Sequence, residues 1–247
     1  MMATAHTNRR ALAWAVAGGV VLTLGIIALI VTRISTDIPE PTPSPTASLT
    51  PPPTSQSPSP SETSASVVDP TAATRGWIPE PITTNPETYV RAALAAASTF
   101  DTTKSTRDEW LDYLDTWFTP DTRYATEADR EDDMRASQLE LRQAVVLPED
   151  QWDSLADESG RVEAKVSGEI DFADVPGDDT DDMTIGTADV TLTFTSTDGA
   201  GGELSYDETV RVSVQVLCGP GSIPTPDSAQ RAGDCKVVRY FSGPLEP

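Results

Sequence analysis

The distribution of apolar and polar residues divides the chain into four parts. An uninterrupted apolar run spans Ala11–Thr32, and a stretch rich in proline, serine and threonine follows it to about Thr74. Helical spacing of apolar residues begins near Tyr89, and strict alternation begins near Val162. These changes predict four segments. They are a cytoplasmic tip at 1–10, a transmembrane helix at 11–33, a disordered stalk at 34–76 and an exported domain at 77–247.

The apolar run is long enough to cross a membrane. Its 22 residues would extend roughly 33 Å as a helix, against a hydrocarbon core of about 30 Å. A cleaved signal peptide has a shorter apolar core and a small-residue cleavage site, which Val31-Thr32-Arg33 lacks. We therefore expect an uncleaved, single-pass signal-anchor. Arg9 and Arg10 precede the run, which predicts a cytoplasmic amino-terminal side and an extracytoplasmic domain at the cell membrane.

The stalk contains almost only proline, threonine, serine and alanine, as in Pro41-Thr42-Pro43-Ser44-Pro45. Such a stretch cannot bury enough apolar surface to offset the entropy lost on ordering. Its prolines favour extended conformations at about 3.1 Å per residue, so it is expected to act as a semi-rigid spacer. Stalks of this composition are typical of exported surfaces, where they carry O-linked sugars in some proteins.

The first part of the folded domain predicts about three helices. Asn85 with Pro86 marks one helix start, and Thr106 with Glu109 forms a capping box at a second. Thr126 marks a third helix, which is highly charged. Apolar residues at helical spacing give the first two helices one buried face each. These residues are Tyr89, Ala92, Ala93, Ala96, Ala97 and Phe100 in the first helix, and Trp110, Leu111, Leu114, Trp117 and Phe118 in the second. After the third helix, Gln143–Leu147 is a candidate short strand and Glu149–Ala156 a further helical turn.

The second part of the domain alternates apolar and polar residues, which is typical of strands with one buried face. The segments concerned are 162–172, 188–195, 210–216 and, less regularly, 235–242. Turn-rich joints between them favour an antiparallel meander. Because helices precede strands, the predicted fold class is α+β. We expect about three helices to pack on the apolar face of a curved antiparallel four-stranded sheet.

The chain has two cysteines, Cys218 at the end of the third strand and Cys235 at the start of the fourth. Outside the cytoplasm such a pair predicts a disulfide that closes the loop 219–234, with a metal or redox site as the alternative. A metal site needs further ligands, and the one histidine, His6, lies on the cytoplasmic side of the predicted anchor. We therefore predict no metal site and no cofactor.

Candidate catalytic chemistry is weakly marked. The predicted exported domain has no histidine, which excludes the usual Ser-His-Asp and Cys-His mechanisms, and it has no phosphate-binding glycine loop. The acidic turn Asp178, Asp179, Asp181 and Asp182 is an alternative calcium site, but its spacing does not match the helix-loop-helix calcium loop. The spacing of Trp110 and Trp117 favours a core over a sugar-binding platform. We predict no catalytic residue.

The charge of the chain bears on its partners. It has 39 acidic and 17 basic residues, a formal net charge of −22, and nearly all of the acid follows the stalk. Binding to a nucleic-acid backbone requires neutralisation of phosphates by basic residues, so direct nucleic-acid binding is not expected. Solubility in the exported compartment accounts for the acidity.

The order of parts resembles the conjugal-transfer proteins of Gram-positive and actinobacterial mobile elements. Their exported domain has a nuclear transport factor 2-like (NTF2-like, or cystatin-like) fold, which also occurs in the assembly-platform protein of type IV secretion systems. Three segments carry the resemblance: Asn85–Ala93, Trp110–Leu114 and Arg142–Pro148. The likeness in arrangement covers about Glu80–Pro247 and includes no catalytic motif. The loop closed by cysteines is not part of the general pattern, whereas the alanine- and aspartate-rich composition fits an actinobacterial source.

The resemblance implies a non-catalytic scaffold that self-associates or binds other membrane or cell-envelope proteins. A cell-wall-associated or sensory binding module is an alternative, suggested by the long stalk. An enzyme is a further alternative, because the same fold hosts isomerases and dehydratases, and fold does not decide function. Asp112, Tyr113 and Tyr240 are then the candidate residues. The resembling fold is cone-shaped. A deep polar-lined cavity inside the cone would favour the enzyme, whereas a cone closed by apolar side chains would favour the scaffold.

Overall fold

The computed structural model describes residues 66–241. The predicted tip at 1–10, the transmembrane helix at 11–33 and most of the predicted stalk lie outside the described residues, so they stay predictions. Between residues 66 and 241, no helix combines the length and the apolar character needed to span a membrane. The described part of the chain contains four α-helices and one five-stranded antiparallel sheet, which confirms the α+β class.

Three of the four helices begin at the capping residues that the sequence marks, and the fourth begins after Pro148 without a side-chain cap. The four are α1 (Pro86–Ala96), α2 (Arg107–Asp115), α3 (Glu127–Glu140) and α4 (Glu149–Asp157), and a 3-10 turn at Ala72–Arg75 precedes them. The Asn85 side chain accepts a hydrogen bond from the Thr88 N–H at 2.8 Å. Thr106 and Glu109 form the reciprocal capping box, and Thr126 caps α3. These bonds satisfy amide groups that the first helical turn leaves without an intrahelical partner.

The prediction of about three helices is too low by one, because α4 is a full helix. Its residue Trp152 is buried against Phe100, with ring centroids 4.1 Å apart. This packing stabilises a helix where the sequence alone indicates only a helical turn. The strand predicted at Gln143–Leu147 is wrong. Residues Leu141–Val145 instead form a π-helical turn that continues α3, with the Val146 N–H donating to the Leu141 carbonyl at 3.1 Å.

The sheet contains five strands, not the four predicted. Their order is β1 (Phe100–Asp101), β2 (Arg161–Asp174), β3 (Met183–Thr197), β4 (Glu203–Leu217) and β5 (Lys236–Phe241), and all neighbours are antiparallel. The additional strand β1 has only two residues, which pair with Val162 and Arg161. A segment this short gives no detectable alternation, and its pairing depends on the turn that follows α1.

A bulge in β2 interrupts the apolar face that the sequence predicts to be buried along residues 162–172. The register between β2 and β3 shifts between Ser167 and Asp171, and Gly168 has a positive φ of 73° there. The Gly168 carbonyl accepts a hydrogen bond from Arg91 Nη2 of α1 at 3.0 Å. Beyond the bulge Phe172 is 46% exposed, so its predicted place on the buried face is wrong.

Residues 66–76, which the sequence places in the stalk, pack against the domain. The Val68 N–H donates to the Glu80 carbonyl at 2.9 Å, and Ala72 is fully buried in the core. Its threonine and alanine residues continue the composition of the stalk, although it has a single proline and contains Val67, Val68 and Arg75. The described fold therefore starts before the predicted boundary at 77.

The main core lies between the helices and the face of the sheet that carries the even-numbered residues of β3 and β4. Helix α1 approaches β3 closely at Gly186, where an added Cβ would lie 2.6 Å from Val90 Cγ1. A small second cluster occupies the opposite face at one end of the sheet, which the one-faced prediction does not include. Its members are Val175, Met183, Ile185, Leu217 and Val238.

Candidate functional site

The interior of the fold, where a ligand would enter a cone-shaped domain, is filled with aromatic side chains. Trp110 and Trp117 are fully buried, which confirms the expectation that they belong to the core. Phe100 lies 4.9 Å from Trp110 and 4.1 Å from Trp152 between ring centroids. Tyr89 packs on Trp117 at 5.9 Å. Contacts of this kind are close-packed, so this region acts as core and not as a binding cavity.

The three residues named for the enzyme alternative do not form a site. Asp112 lies on the outer side of α2, where its side chain is 82% exposed. The Tyr113 hydroxyl donates to the Ile78 carbonyl at 2.8 Å and accepts from the Glu80 N–H at 3.0 Å. The Tyr240 hydroxyl donates to the Ala93 carbonyl at 3.0 Å. Burial raises the pKa of both tyrosines, so both hydroxyls stay protonated and bonded to the backbone.

A buried ion pair joins the start of the domain to its last strand. Lys236 and Glu80 are 1% and 0% exposed, and Lys236 Nζ lies 2.9 Å from Glu80 Oε1. The ammonium also donates to the Thr116 carbonyl and to Thr225 Oγ1, each at 2.7 Å. All three of its donors are thereby used. Burial lowers the pKa of Lys236, although the Glu80 charge opposes this shift.

The same carboxylate oxygen accepts two further hydrogen bonds. Tyr89 donates its hydroxyl to Glu80 Oε1 at 2.6 Å, and Gln230 Nε2 donates at 3.1 Å. Burial, and then the negative charge of Glu80, raise the pKa of Tyr89 well above its ordinary value. The other oxygen, Glu80 Oε2, has no hydrogen-bond partner among the described residues. The network connects five segments of the chain: those of Glu80, Tyr89, Thr116, the loop 219–234 and Lys236. Because both charged groups are shielded from solvent and bonded to protein groups, neither is presented as a reactive group.

The sequence gives little signal for this network. Glu80 lies between Pro79 and Pro81, outside any periodic segment, and Lys236 follows Cys235 at the start of a strand. A lysine at this strand position is ordinarily read as exposed. The one available clue is the apolar run after Cys235, which places Lys236 on a strand buried on both faces.

Cys218 and Cys235 form a disulfide in the structure, between the end of β4 and the start of β5. The loop it closes carries Thr225 and Gln230, both of which bond within the buried network. The covalent link therefore also holds the polar groups that solvate Lys236 and Glu80.

Removing the disulfide is expected to lower the free energy of unfolding by about 3 kcal/mol, because the two cysteines are 17 residues apart and their link restricts the unfolded chain. The test is urea unfolding of the full chain in detergent micelles, for the double variant Cys218→Ala, Cys235→Ala. Reductant should destabilise the wild type equally and leave the variant unchanged. An unfolding midpoint of the wild type that does not move on reduction would contradict this prediction.

The acidic turn at 178–182 uses its first carboxylate to hold its own backbone. Asp178 Oδ1 accepts from the Thr180 N–H at 3.0 Å and from its hydroxyl at 2.6 Å, while Oδ2 accepts from the Met183 N–H at 2.8 Å. Within residues 66–241, no group of histidine, cysteine and acidic side chains has the arrangement needed to hold a metal ion. The turn is thus accounted for by local hydrogen bonding.

A groove of about 370 Å³ lies between the sheet's apolar face and residues 143–148. Val146, Leu147 and Phe194 line it from within. On its outer side Tyr206, which is 59% exposed, stacks on Phe194 with ring centroids 5.0 Å apart. Leu204, 61% exposed, lies two residues before it on the same strand. Burial raises the pKa of Tyr206, with Glu208 and Glu158 adding to the shift.

A second groove of about 600 Å³ separates α3 from the loop that the disulfide closes. Met134 lines one side, and Ile223 and Pro224 line the other. Both grooves are open and partly apolar, and their described lining residues do not form a catalytic site. Open, partly apolar grooves are typical of protein-binding surfaces.

Comparison with known proteins gives similarity to two solved structures. No protein-family model matches the chain, and no curated protein matches it. The chain is similar to an IcmL-like type IV secretion system protein from Legionella pneumophila, with 12% identity, a TM-score of 0.40, and coverage of 64% of this chain and 88% of that one. It is also similar to CagV, a VirB8 homologue of the type IV secretion system of Helicobacter pylori, with 20% identity, a TM-score of 0.29, and coverage of 56% and 82%. At these TM-scores neither similarity carries an argument about function.

Proposed function

We propose that this protein is a non-catalytic, membrane-anchored scaffold of a conjugation- or secretion-type assembly. Residues 11–33 hold it in the cytoplasmic membrane, with the amino terminus in the cytoplasm. The stalk extends the domain away from the membrane, where it binds other membrane or envelope proteins and copies of itself. The two structural neighbours are named as type IV secretion proteins, which agrees with this proposal without carrying it.

The observation that carries the proposal is the filled interior. Trp110, Trp117 and Phe100 occupy the space between the helices and the sheet, and the Tyr113 and Tyr240 hydroxyls are bonded to backbone carbonyls. A catalytic site requires an acid, base or nucleophile within reach of a bound substrate. The buried tyrosine hydroxyls and the Lys236 ammonium are instead bonded to protein groups, which favours a role through binding.

The surface supplies what such a role needs. The groove beside residues 143–148 is partly apolar and includes the exposed Tyr206, with the exposed Leu204 next to it on β4. Exposed aromatic side chains of this kind are enriched in protein interfaces. The acidic charge of the chain disfavours nucleic acid as the partner. Protein partners are the class that fits both features.

A domain-deletion experiment tests this function. A variant that retains residues 1–76 should still insert into the membrane but should abolish assembly and transfer, since the binding surfaces are lost. Its control replaces 77–247 with an unrelated folded domain, which should insert equally well and also fail in transfer. Full transfer by the anchor and stalk alone would contradict the proposal. Retention of the purified full chain on peptidoglycan, without any effect of the deletion on transfer, would favour the cell-wall binding module.

A further inference from the structure

Among residues 66–241, half of strand β4 has a neighbouring strand on one side only. β4 pairs with β3 along its whole length, from Glu203 to Leu217. Within the same residues, β5 pairs with it only from Ser213 to Leu217. Residues 203–212 therefore present an open edge, and all of them except the half-buried Val210 and Val212 are exposed.

The register identifies which backbone groups point outward from this edge. The Asp198 N–H donates to the Gly202 carbonyl, so this pair is a hydrogen-bonded one. Hydrogen-bonded and non-hydrogen-bonded pairs alternate in an antiparallel ladder, so the even-numbered residues of β4 bond to β3. The N–H and C=O groups of Ser205, Asp207, Thr209 and Arg211 consequently point away from β3.

The side chains next to this edge form one wall of the groove. Tyr206, Val210 and Val212 line it, and they supply apolar contact area. Between Tyr206 and Val210 stands Glu208, which also lines the groove. The Glu208 carboxylate has no hydrogen bond or ion pair among the described residues. An added strand would place its own alternate side chains against these four positions.

The edge lacks three of the features by which proteins block such pairing, although it carries charged side chains, and one of them, Glu208, lies on the groove side of the strand. Proline, lysine and bulges protect edges, yet residues 203–212 contain neither proline nor lysine, and their register with β3 is continuous. The charged groups present are Glu203, Asp207, Glu208 and Arg211. Arg211 is already paired with Asp189 at 3.0 Å and with Asp171.

We propose that residues 203–212 bind an extended segment of a partner protein as an added strand, with a lysine or arginine of that segment facing Glu208. Apolar and polar residues alternate along this segment. The apolar residues two positions before and two positions after the basic residue then enter the groove and contact Tyr206 and Val210. This inference rests on the proposed scaffold function and names the kind of partner that the scaffold takes. Strand addition of this kind derives affinity from backbone hydrogen bonds and specificity from alternate side chains.

Charge argues against a second copy of the chain as the occupant. Each edge carries three acidic residues, Glu203, Asp207 and Glu208, and one basic residue, Arg211, so two paired copies would place two net-negative strands side by side. Like charges on adjacent strands are destabilising. Residues 242–247 of the same chain, which lie outside the described residues, are a further candidate occupant. Pro244 and Pro247 are three residues apart, so in a regular strand one of them falls where the ladder needs an N–H donor.

The test measures binding of a fluorescent peptide, Thr-Val-Thr-Lys-Thr-Val-Thr, to the full chain in detergent micelles. The control peptide has glutamate in place of lysine. We expect the lysine peptide to bind about fivefold more tightly than the glutamate peptide, because only lysine complements Glu208. The variant Glu208→Lys should reverse this preference.

The variant Thr209→Pro removes one outward N–H and should weaken binding of the lysine peptide about tenfold, whereas Thr209→Ala should not. Equal binding of both peptides, or unchanged binding by Thr209→Pro, would overturn the inference. Self-association that Thr209→Pro abolishes, without peptide binding, would assign the edge to a second copy instead. Peptide binding that appears only after deletion of 242–247 would assign it to the chain's own tail. Because no transfer is measured, failure here is distinguishable from failure of the scaffold function.

Discussion

Replacement of Lys236 by methionine is expected to lower the free energy of unfolding by about 3–5 kcal/mol. Glu80 would then remain buried without its cation, with only Tyr89 and Gln230 donating to it. The carbonyl of Thr116 would also lose its hydrogen bond from the ammonium. Urea unfolding of the full chain in detergent micelles, followed by tryptophan fluorescence, measures this loss.

A double variant separates the ion pair from the packing around it. Glu80→Gln combined with Lys236→Met removes both charges, and it should recover a large part of the stability that Lys236→Met loses. Lys165→Met is a matched control on β2, where the lysine is exposed, and should change stability by less than about 0.5 kcal/mol. A loss for Lys236→Met no larger than that of Lys165→Met would show that the buried pair does not stabilise the fold.

Replacement of Trp110 by alanine is expected to cost about 3–5 kcal/mol, because it leaves a cavity at the centre of the aromatic core. Trp110 is fully buried and packs on Phe100 and Trp152, with ring centroids 4.9 and 5.5 Å away. Trp110→Phe should lose less, since it retains a ring and removes an indole N–H that has no partner among the described residues. The same urea unfolding assay applies.

The exposed aromatic Tyr206 supplies the matched control for this prediction. Tyr206→Ala should change stability by no more than about 1 kcal/mol, because its ring is mostly in solvent and loses only its stacking on Phe194. Similar losses for Tyr206→Ala and Trp110→Ala would contradict the assignment of Trp110 to a packed interior.

Local signals in the sequence were sufficient for the helix starts and for the sheet as a class. Asn85, Thr106 and Thr126 each cap a helix as predicted, because a cap depends on residues within one turn. The alternation at residues 188–194 likewise identifies β3, whose even-numbered side chains are buried. These features require no knowledge of the rest of the chain.

Features that depend on distant partners could not be read in this way. β1 exists only because Phe100 pairs with Val162, and the bulge near Gly168 depends on its neighbour β3 and on contact with α1. The pairing of Glu80 with Lys236 spans 156 residues. Glu80 lies outside any periodic segment, and the apolar run after Cys235 is the one sign in the sequence that Lys236 is buried.

The sequence pattern likewise did not predict the exposed groove or the β4 edge. The predicted third strand starts at Val210, because Glu208 interrupts the alternation, yet the structure starts β4 at Glu203. This interruption is what places a carboxylate among apolar side chains beside the edge. Glu208, the residue that breaks the alternation, is therefore also the residue on which the proposed partner specificity depends.

The most direct test of the central claim, that the folded domain acts by binding and not by catalysis, removes the three candidate catalytic groups together. The variant carries Asp112→Asn, Tyr113→Phe and Tyr240→Phe, and its transfer frequency is measured in cells together with its amount in the membrane. The scaffold function predicts transfer close to that of the wild type at equal protein amount. A catalytic role predicts a loss of about 10²–10⁴-fold. Such a loss in a correctly folded, membrane-inserted variant would contradict the scaffold function.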